Sequence, residues 1–190
     1  KVDSHPISEN ILNKIKKSII KQKTDAIIFS DFRHGIFNKT SIPILTSAIK
    51  KGIFKAADSQ VATRWGNITD FKKFDLITPN EKEARFSLAD QDSSISNLTR
   101  QLYAEAKLKN LILKLGERGV FAGGVQSPNG FAIPTFSNKI VDAIGAGDAL
   151  LAYASLSLLA TKSILIASIL GSAAAACECE NDGNIAIRSE

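Results

Sequence analysis

Short apolar runs alternate along this chain with longer segments in which apolar residues recur at helical spacing. The runs, each nearly all apolar, occupy residues 25–30, 53–57, 74–78 and 111–115. Buried strands separated by helices are typical of a parallel sheet that is covered on both faces. The pattern therefore predicts a single α/β domain, residues 1–190, with a mostly parallel sheet.

The segments between and after these strands predict six helices. They begin after Ser8 and at about Ser41, and continue with Asn80–Leu88, Ile95–Leu108, Ala149–Thr161 and Ser163–Ala176. Pro43 suits the first turn of the second helix and Gly52 lies just past its end. Lys162 divides the last apolar region into runs too short to cross a bilayer, which favours two packed helices.

Two further short strands complete the predicted sheet. They are Val120–Ala122 and Phe131–Ile133, and the turn signal Pro128-Asn129-Gly130 lies between them. Apolar runs on either side of such a signal are typical of a hairpin, so we expect the two strands to be joined across it.

Composition narrows the function classes. The 190 residues are 44% hydrophobic, and 24 basic against 19 acidic residues give a net charge of +5. The lysines between Lys14 and Lys23 alternate with isoleucines, which favours the solvated face of an amphipathic helix over a nucleic-acid surface. No signal peptide is visible at the start, and the absence of methionine suggests a fragment or a processed chain. We expect no nucleic-acid or membrane partner.

Cysteine usage points to a reducing compartment. Cys177 and Cys179 are separated by a single residue, and the chain has only two histidines. A pair with this spacing and few other ligands is a poor zinc site. The sequence therefore predicts reduced, structural cysteines in a cytoplasmic protein.

A glycine turn precedes the fifth predicted helix, in the order Gly145-Ala146-Gly147-Asp148. A glycine turn that leads into a helix presents unpaired N–H groups and the positive end of the helix dipole, so it can hold an anion. Asp148 would repel a permanently bound phosphate, but it suits proton removal beside a transient anion. The alternative is a plain helix start with an acid favoured by the dipole.

Known phosphate-binding motifs do not explain this turn. The chain contains no Gly-x-x-x-x-Gly-Lys-Ser/Thr sequence, and Leu150 stands where a dinucleotide fingerprint needs its third glycine. A nucleotide-binding oxidoreductase domain is therefore disfavoured.

Candidate polar residues follow the predicted strands. They are 31–35, 58–60, Asn80, 116–119 and 142–148. Ligands of open α/β sheets bind beyond the carboxyl ends of the strands, so these segments are expected to form one site.

The motif Asp142-x-x-Gly145-Ala146-Gly147-Asp148 resembles the C-terminal signature of the PfkB, or ribokinase-like, carbohydrate kinases. The resemblance implies a ribokinase-like fold, ATP and Mg²⁺ as cofactors, and a sugar or sugar phosphate as substrate. It implies that Asp148 is the catalytic base and that the amides of Gly145, Ala146 and Gly147 form an anion hole. It also implies a monovalent cation such as K⁺, held by carbonyls near Asp142. A homodimer is compatible with it.

One position departs from the family pattern. Ala143 stands where the family often has threonine, so a hydroxyl is lost. We expect function to survive this change because the anion hole is made of backbone groups.

Two further segments resemble family motifs. Asn80-x-x-Glu83 is similar to a motif tied to Mg²⁺ and phosphate, which implies that Glu83 acts on Mg²⁺ through water. A capping box explains the same residues without function, and the two interpretations are compatible. Lys114, Gly116 and Gly119 match a nucleotide-binding segment, with Asn80 beside it, and imply contacts to ATP. The alternative is a hairpin turn between charged residues.

The stretches 30–35 and 74–80 resemble most the heptose-phosphate kinase branch, which includes the kinase half of bifunctional ADP-heptose synthases. Arg33 and His34 are candidates to meet a sugar phosphate, although an exposed basic loop explains them equally well. The resemblance spans nearly the whole chain but only the C-terminal part of the family fold. The N-terminal half, with its Gly-Gly motif and lid strands, has no counterpart in this sequence.

These observations predict ATP-dependent phosphorylation of a sugar or sugar-phosphate hydroxyl, with a heptose phosphate as candidate substrate. The alternative is a catalytically incomplete nucleotide-binding or structural domain. The chain alone is expected to be inactive, because the family's sugar-binding segment is not in it.

Overall fold

The computed structural model describes residues 5–60, 68–125, 127–137 and 141–180. Within them, one sheet contains strands in chain order: β1 (Ala26–Asp31), β2 (Phe54–Ser59), β3 (Leu76–Ile77), β4 (Asn110–Lys114), β5 (Val120–Gly124) and β6 (Ser127–Ile133). Strands β1 to β4 are parallel, and β5 and β6 continue the sheet antiparallel. The predicted mostly parallel sheet is confirmed.

The α-helices are α1 (Glu9–Lys21), α2 (Ser41–Ser47), α3 (Glu81–Leu88), α4 (Ile95–Ala106), α5 (Ala146–Thr161) and α6 (Ile164–Cys179). Serines cap three of them: the side chains of Ser8, Ser94 and Ser163 accept hydrogen bonds from amides of the first turns of α1, α4 and α6. Each serine satisfies an amide that has no partner inside its helix, which fixes where the helix begins.

Alternate strand residues divide between two apolar cores. Ala57, Ile77 and Leu111 face the core that α1 to α4 cover, and a cluster of Phe29, Phe71 and Phe74 fills it. Their strand neighbours Ala56, Leu76 and Ile112 face the core under α5 and α6. Because side chains of a strand alternate in direction, both faces of the sheet are covered by helices, as predicted.

The predicted pairing of the two short strands is confirmed, but the turn predicted at Pro128-Asn129-Gly130 is wrong. Strand β6 begins at Ser127, so Asn129 and Gly130 lie within the strand. The pairing with β5 shifts register between Ala122 and Gly124. Gly130 has φ +65°, and a Cβ added there would stand 2.4 Å from the Phe121 ring. Glycine is therefore used for a close approach at an irregularity of the strand pair, not for the turn.

Several element boundaries also differ from the sequence prediction. Strand β3 is limited to Leu76–Ile77, α2 ends at Ser47, and α5 begins at Ala146. Helix α4 ends where Lys107 adopts a left-handed conformation, just before the predicted Leu108. The predicted pairing of α5 with α6 is confirmed by Gly171, where an added Cβ would lie 3.0 Å from the Cβ of Ala154. None of the described helices is long and apolar enough to span a membrane.

Candidate active site

A cleft of about 870 Å³ opens at the carboxyl ends of the parallel strands, beside the N-terminus of α5. Most of the residues singled out in the sequence line it: Asn80, Glu83, Lys114, Gly116, Gly119, Gly145, Ala146, Gly147 and Asp148. They come from three separate segments of the chain, 80–83, 114–119 and 145–148. The structure therefore brings together the segments that the strand pattern predicted to converge.

The N-terminus of α5 presents free donors to this cleft. Gly145 is the N-cap, with φ +88°, and no side chain caps the helix. The first internal bond is donated by the Ala149 amide to the Gly145 carbonyl at 2.9 Å. Among the described residues, the Gly147 and Asp148 amides have no backbone carbonyl partner. Such amides, at the positive end of the helix dipole, suit an anion.

The loop before α5 is tied to the end of α6. The amides of Val141 and Asp142 donate to the Cys179 carbonyl at 2.8 and 3.2 Å. The Asp142 carboxylate accepts from the Ile144 amide at 2.9 Å, which tightens the turn towards Gly145. Among the described residues, neither Cys177 nor Cys179 forms a disulfide. Asp142 itself is not among the cleft-lining residues, so its predicted cation site stays a prediction.

Asp148 is oriented by a residue whose role the sequence did not reveal. The Ser30 hydroxyl, on β1, donates to Oδ1 of Asp148 at 3.1 Å. Asp148 is half-buried in the cleft wall. One carboxylate oxygen is thus held by Ser30, and none of the described residues donates a hydrogen bond to the other oxygen, Oδ2.

Lys114 forms an ion pair with Asp58 at the centre of the site. The ammonium donates to Oδ2 of Asp58 at 2.7 Å. Burial raises the pKa of Asp58 above its usual value; the Lys114 ammonium opposes that rise and the charge of Asp148 adds to it. In the sequence Asp58 was only one residue of a strand-end loop, because nothing local marks its partner 56 positions away.

Asn80 and Glu83 form a complete capping box at the start of α3. The Glu83 carboxylate accepts from the Asn80 backbone amide and from its Nδ2, both at 2.7 Å, and the Glu83 amide donates to Oδ1 of Asn80 at 2.8 Å. The structural interpretation of the motif is therefore correct. Because Glu83 also lines the cleft, the metal-binding interpretation stays compatible with it.

The segment from Gly116 to Gly119 is a 3₁₀ turn that joins β4 to antiparallel β5, so the hairpin interpretation is also correct. At Gly119, φ is +82° and an added Cβ would stand 2.1 Å from the Ile133 carbonyl oxygen. At Gly116, φ is +62° and an added Cβ would meet nothing within 4 Å. Packing explains Gly119, whereas Gly116 leaves open space beside the cleft.

Arg33 and His34 are not among the residues that line the cleft, whereas Phe32 is. The Arg33 guanidinium donates to Oδ2 of buried Asp31 at 2.7 Å, and the Ser59 hydroxyl donates to the same oxygen at 2.9 Å. Arg33 is thus held against its own loop. The assignment of Arg33 and His34 to a sugar phosphate stays a prediction.

The sequence profile of the pfkB family carbohydrate kinases matches residues 41–189, which is more than half of the chain. The chain belongs to the pfkB family. The predicted family resemblance is thereby confirmed.

Curated relatives of this pfkB-family chain carry the name bifunctional protein HldE. The HldE protein of Sulfurimonas denitrificans is 27% identical over 164 residues, which cover 82% of this chain and 32% of that protein. The protein of Helicobacter pylori strain J99 is 28% identical over 174 residues, or 90% of this chain and 36% of that protein. The chain thus spans about a third of the length of these relatives.

Solved structures establish the ribokinase-like fold. Phosphofructokinase-2 from Escherichia coli in complex with potassium superposes with a TM-score of 0.80 at 19% identity, over 94% of this chain and 59% of that one. Arabidopsis thaliana ribokinase complexed with ribose and ATP gives a TM-score of 0.70 at 18% identity, over 94% and 55% of the two chains. The chain therefore corresponds to less than two thirds of either kinase.

Proposed function

We propose that this chain is the nucleotide-binding and catalytic part of a kinase that transfers the γ-phosphoryl group of ATP to a hydroxyl of a sugar or sugar phosphate. The proposal is supported by membership of a carbohydrate kinase family. The observation that carries it is the convergence of a carboxylate, a cation and free helix amides on one cleft, at Asp148, Lys114 and Gly147.

The residues of the cleft fit a nucleoside triphosphate. Gly147 has no side chain, which leaves room for a phosphate oxygen beside Lys114. A Cβ added to Gly147 would lie 3.3 Å from the Lys114 ammonium. A cation beside free helix amides is the donor set that phosphate oxygens require. The cleft volume of about 870 Å³ lies within the range of small-molecule sites. The space beside Gly116 at the cleft wall is open and can take the nucleoside part of ATP.

In the proposed mechanism Asp148 accepts the proton of the substrate hydroxyl. The hydroxyl oxygen attacks the γ-phosphorus of ATP as the bond to ADP breaks. General base catalysis of this kind contributes about 10²–10⁴ in rate. The bond from Ser30 holds the carboxylate in place. The amides of Gly145, Gly147 and Asp148 and the Lys114 ammonium stabilise the charge that develops on the phosphoryl oxygens, whereas the Ala146 amide donates to the Ala143 carbonyl at 3.4 Å.

Mg²⁺ supplies charge neutralisation on the phosphate oxygens when it is bound. Glu83 would hold it through a water molecule. Both Glu83 oxygens accept hydrogen bonds from Asn80, and a carboxylate group as a whole can accept about four. A water-mediated contact suits Mg²⁺, which keeps most of its waters. Carbonyls near Asp142 would hold a monovalent cation such as K⁺.

A heptose phosphate is the candidate substrate. Its support is the resemblance of residues 30–35 and 74–80 to the heptose-phosphate kinase branch, together with the bifunctional HldE relatives. Phe32 lines the cleft on the β1 side, and Arg33 and His34 follow it in the same loop. A cytoplasmic location and a homodimer stay predictions.

The alternative function is a nucleotide-binding domain that does not turn over by itself. It is favoured by the extent of the chain, which aligns with 55–59% of the solved kinases. Under this alternative the cleft still binds ATP, but the hydroxyl is not positioned. The two functions differ in turnover, not in nucleotide binding.

The experiment is Asp148→Asn in the complete kinase that contains this chain. ADP release is measured over a panel of sugars and sugar phosphates, and ATP affinity is measured by calorimetry. We expect turnover to fall by about 10² or more with little change in ATP affinity, because the base acts on the hydroxyl and not on the nucleotide. Ser30→Ala removes only the hydrogen bond that orients Asp148, so its loss of turnover should be smaller than that of Asp148→Asn. A loss below about tenfold for Asp148→Asn would exclude Asp148 as the base.

A further inference from the structure

The Lys114 ammonium is fixed in an enclosed position. Its side chain is 17% exposed, and that of Asp58 is 7% exposed. Of the three N–H donors of an ammonium group, one is used by Oδ2 of Asp58 at 2.7 Å. A lysine side chain has a flexible four-carbon stem, so a bond at its tip decides which direction it takes.

That direction is towards the N-terminus of α5. A Cβ added to Gly147 would be 3.3 Å from Nζ of Lys114 and 3.9 Å from Oδ2 of Asp58. The ammonium therefore lies against the backbone segment whose amides face the cleft. Lys114 reaches this place while it is bonded to Asp58, so it does not have to leave Asp58 in order to approach an anion there.

A purely structural role explains the Asp58 carboxylate poorly. Its second oxygen, Oδ1, is buried and has no well-aligned hydrogen-bond donor among the described residues, although the Ser59 backbone amide is close enough to the carboxylate to lower its pKa. A buried ion pair is often no more stabilising than apolar residues of similar size, because both charges lose their hydration. Buried charges at a cleft are instead characteristic of functional sites.

Asp58 and Asp148 have different hydrogen-bond partners, and the difference indicates which of the two can act as the base. Asp148 is held by a neutral hydroxyl donor, Ser30, whereas Asp58 is bonded to a cation. The Asp58 oxygen that lies nearest to Gly147, Oδ2, is already occupied by the Lys114 ammonium. Asp58 is thus suited to hold Lys114 and not to take a proton.

We propose that Asp58 is a positioning residue that fixes the Lys114 ammonium against the N-terminus of α5, so that the cation and the helix amides together form the anion hole. The inference rests on the proposed kinase function. It extends the anion hole from backbone groups alone to a charged side chain and the buried carboxylate that orients it.

The test is a double-mutant cycle in the complete kinase, with Asp58→Asn, Lys114→Met and the double variant. Turnover is measured by ADP release, and ATP affinity by calorimetry. If Asp58 acts through Lys114, Asp58→Asn lowers turnover by about tenfold or more, and the double variant is no slower than Lys114→Met within about threefold. Asp58→Asn changes ATP affinity less than Lys114→Met does, because the cation is still present.

Asp75→Asn is the matched control. Asp75 forms an ion pair of 2.6 Å with Lys109 at the opposite, amino-terminal end of the strands. The same change of charge there should leave turnover unaltered. Should Asp58→Asn fail to fold, Asp58→Glu replaces it, since it keeps the charge and displaces the carboxylate by one methylene group. It should lower turnover in the same way.

Normal turnover in Asp58→Asn or Asp58→Glu would overturn the inference. So would a double variant whose loss equals the product of the two single losses, because independent residues behave additively. Asp148→Asn, measured in parallel, separates this inference from the proposed function. If Asp148→Asn is inactive and Asp58→Asn is normal, only the positioning role fails. If Asp148→Asn retains turnover, the proposed mechanism fails first.

Discussion

Gly147→Ala is expected to impair catalysis without loss of stability. Gly147 is the second residue of α5, and its φ lies outside the left-handed region that favours glycine. An added Cβ would meet Nζ of Lys114 at 3.3 Å, which is a few tenths of an ångström closer than ordinary contacts, and Oδ2 of Asp58 at 3.9 Å. The methyl group therefore enters the cleft and not the core.

The magnitudes follow from this geometry. Alanine is favoured over glycine inside helices by about 0.5–1 kcal/mol, so the free energy of unfolding should not fall. The methyl group pushes the ammonium away from the helix amides and narrows the access of an anion to them. Loss of one donor in such a hole costs about 10²–10³ in turnover, and we expect a loss of that order.

The assay compares Gly147→Ala with Gly145→Ala in the complete kinase, by ADP release and by calorimetric melting. Gly145 has φ +88°, so alanine there is strained by about 1–3 kcal/mol. In a domain of this size each kcal/mol lowers the melting temperature by about 2–4 °C. Gly145→Ala should therefore melt earlier, and Gly147→Ala should not. Full turnover in Gly147→Ala would show that the methyl group does not disturb the anion hole, and melting as early as that of Gly145→Ala would show that the variant is strained.

Three further predictions concern the metal, the helix pair and the chain by itself. Glu83→Gln should raise the Mg²⁺ concentration needed for half-maximal turnover while α3 stays folded, since glutamine also serves in a capping box; an unchanged midpoint would leave Glu83 as a cap only. In Gly171→Ala the new Cβ would lie 3.0 Å from the Cβ of Ala154, so the free energy of unfolding measured in thermal melts should fall by about 1–3 kcal/mol while ATP affinity stays unaltered. Residues 1–190 alone should release no ADP with any sugar or sugar phosphate, because positioning of the hydroxyl is worth about 7–11 kcal/mol; robust turnover would contradict this.

The architecture was predictable because its signals are local. Strands β1, β2 and β4 are five or six residues long and each has apolar residues at its centre, and Ser8 and Ser163 mark helix starts. Alternation of these runs with helices was enough to place the candidate loops at one end of a parallel sheet. Most of the cleft-lining residues followed from that placement, since the carboxyl ends of parallel strands meet at one edge.

What the sequence did not reveal depends on contacts between distant residues. Ser30 and Asp148 are 118 positions apart, and Asp58 and Lys114 are 56 apart. No local pattern marks such pairs. The misplaced hairpin turn has a similar cause: Gly130 is required by the ring of Phe121 on the neighbouring strand, and the sequence signal was identical to that of a turn. By contrast, the Arg33–Asp31 pair spans two residues and was within reach of local reasoning.

Every step of the proposed mechanism requires that the cleft beside α5 binds the phosphates of ATP. Calorimetric titration of residues 1–190 with ATP, in the presence of Mg²⁺, tests it most directly, because nucleotide binding needs only the residues that line the cleft. We expect weak, saturable binding that Lys114→Met reduces and that Asp75→Asn, at the far end of the strands, leaves unchanged. An absence of ATP binding, or equal affinity in the Lys114→Met variant, would show that the phosphates do not bind in this cleft.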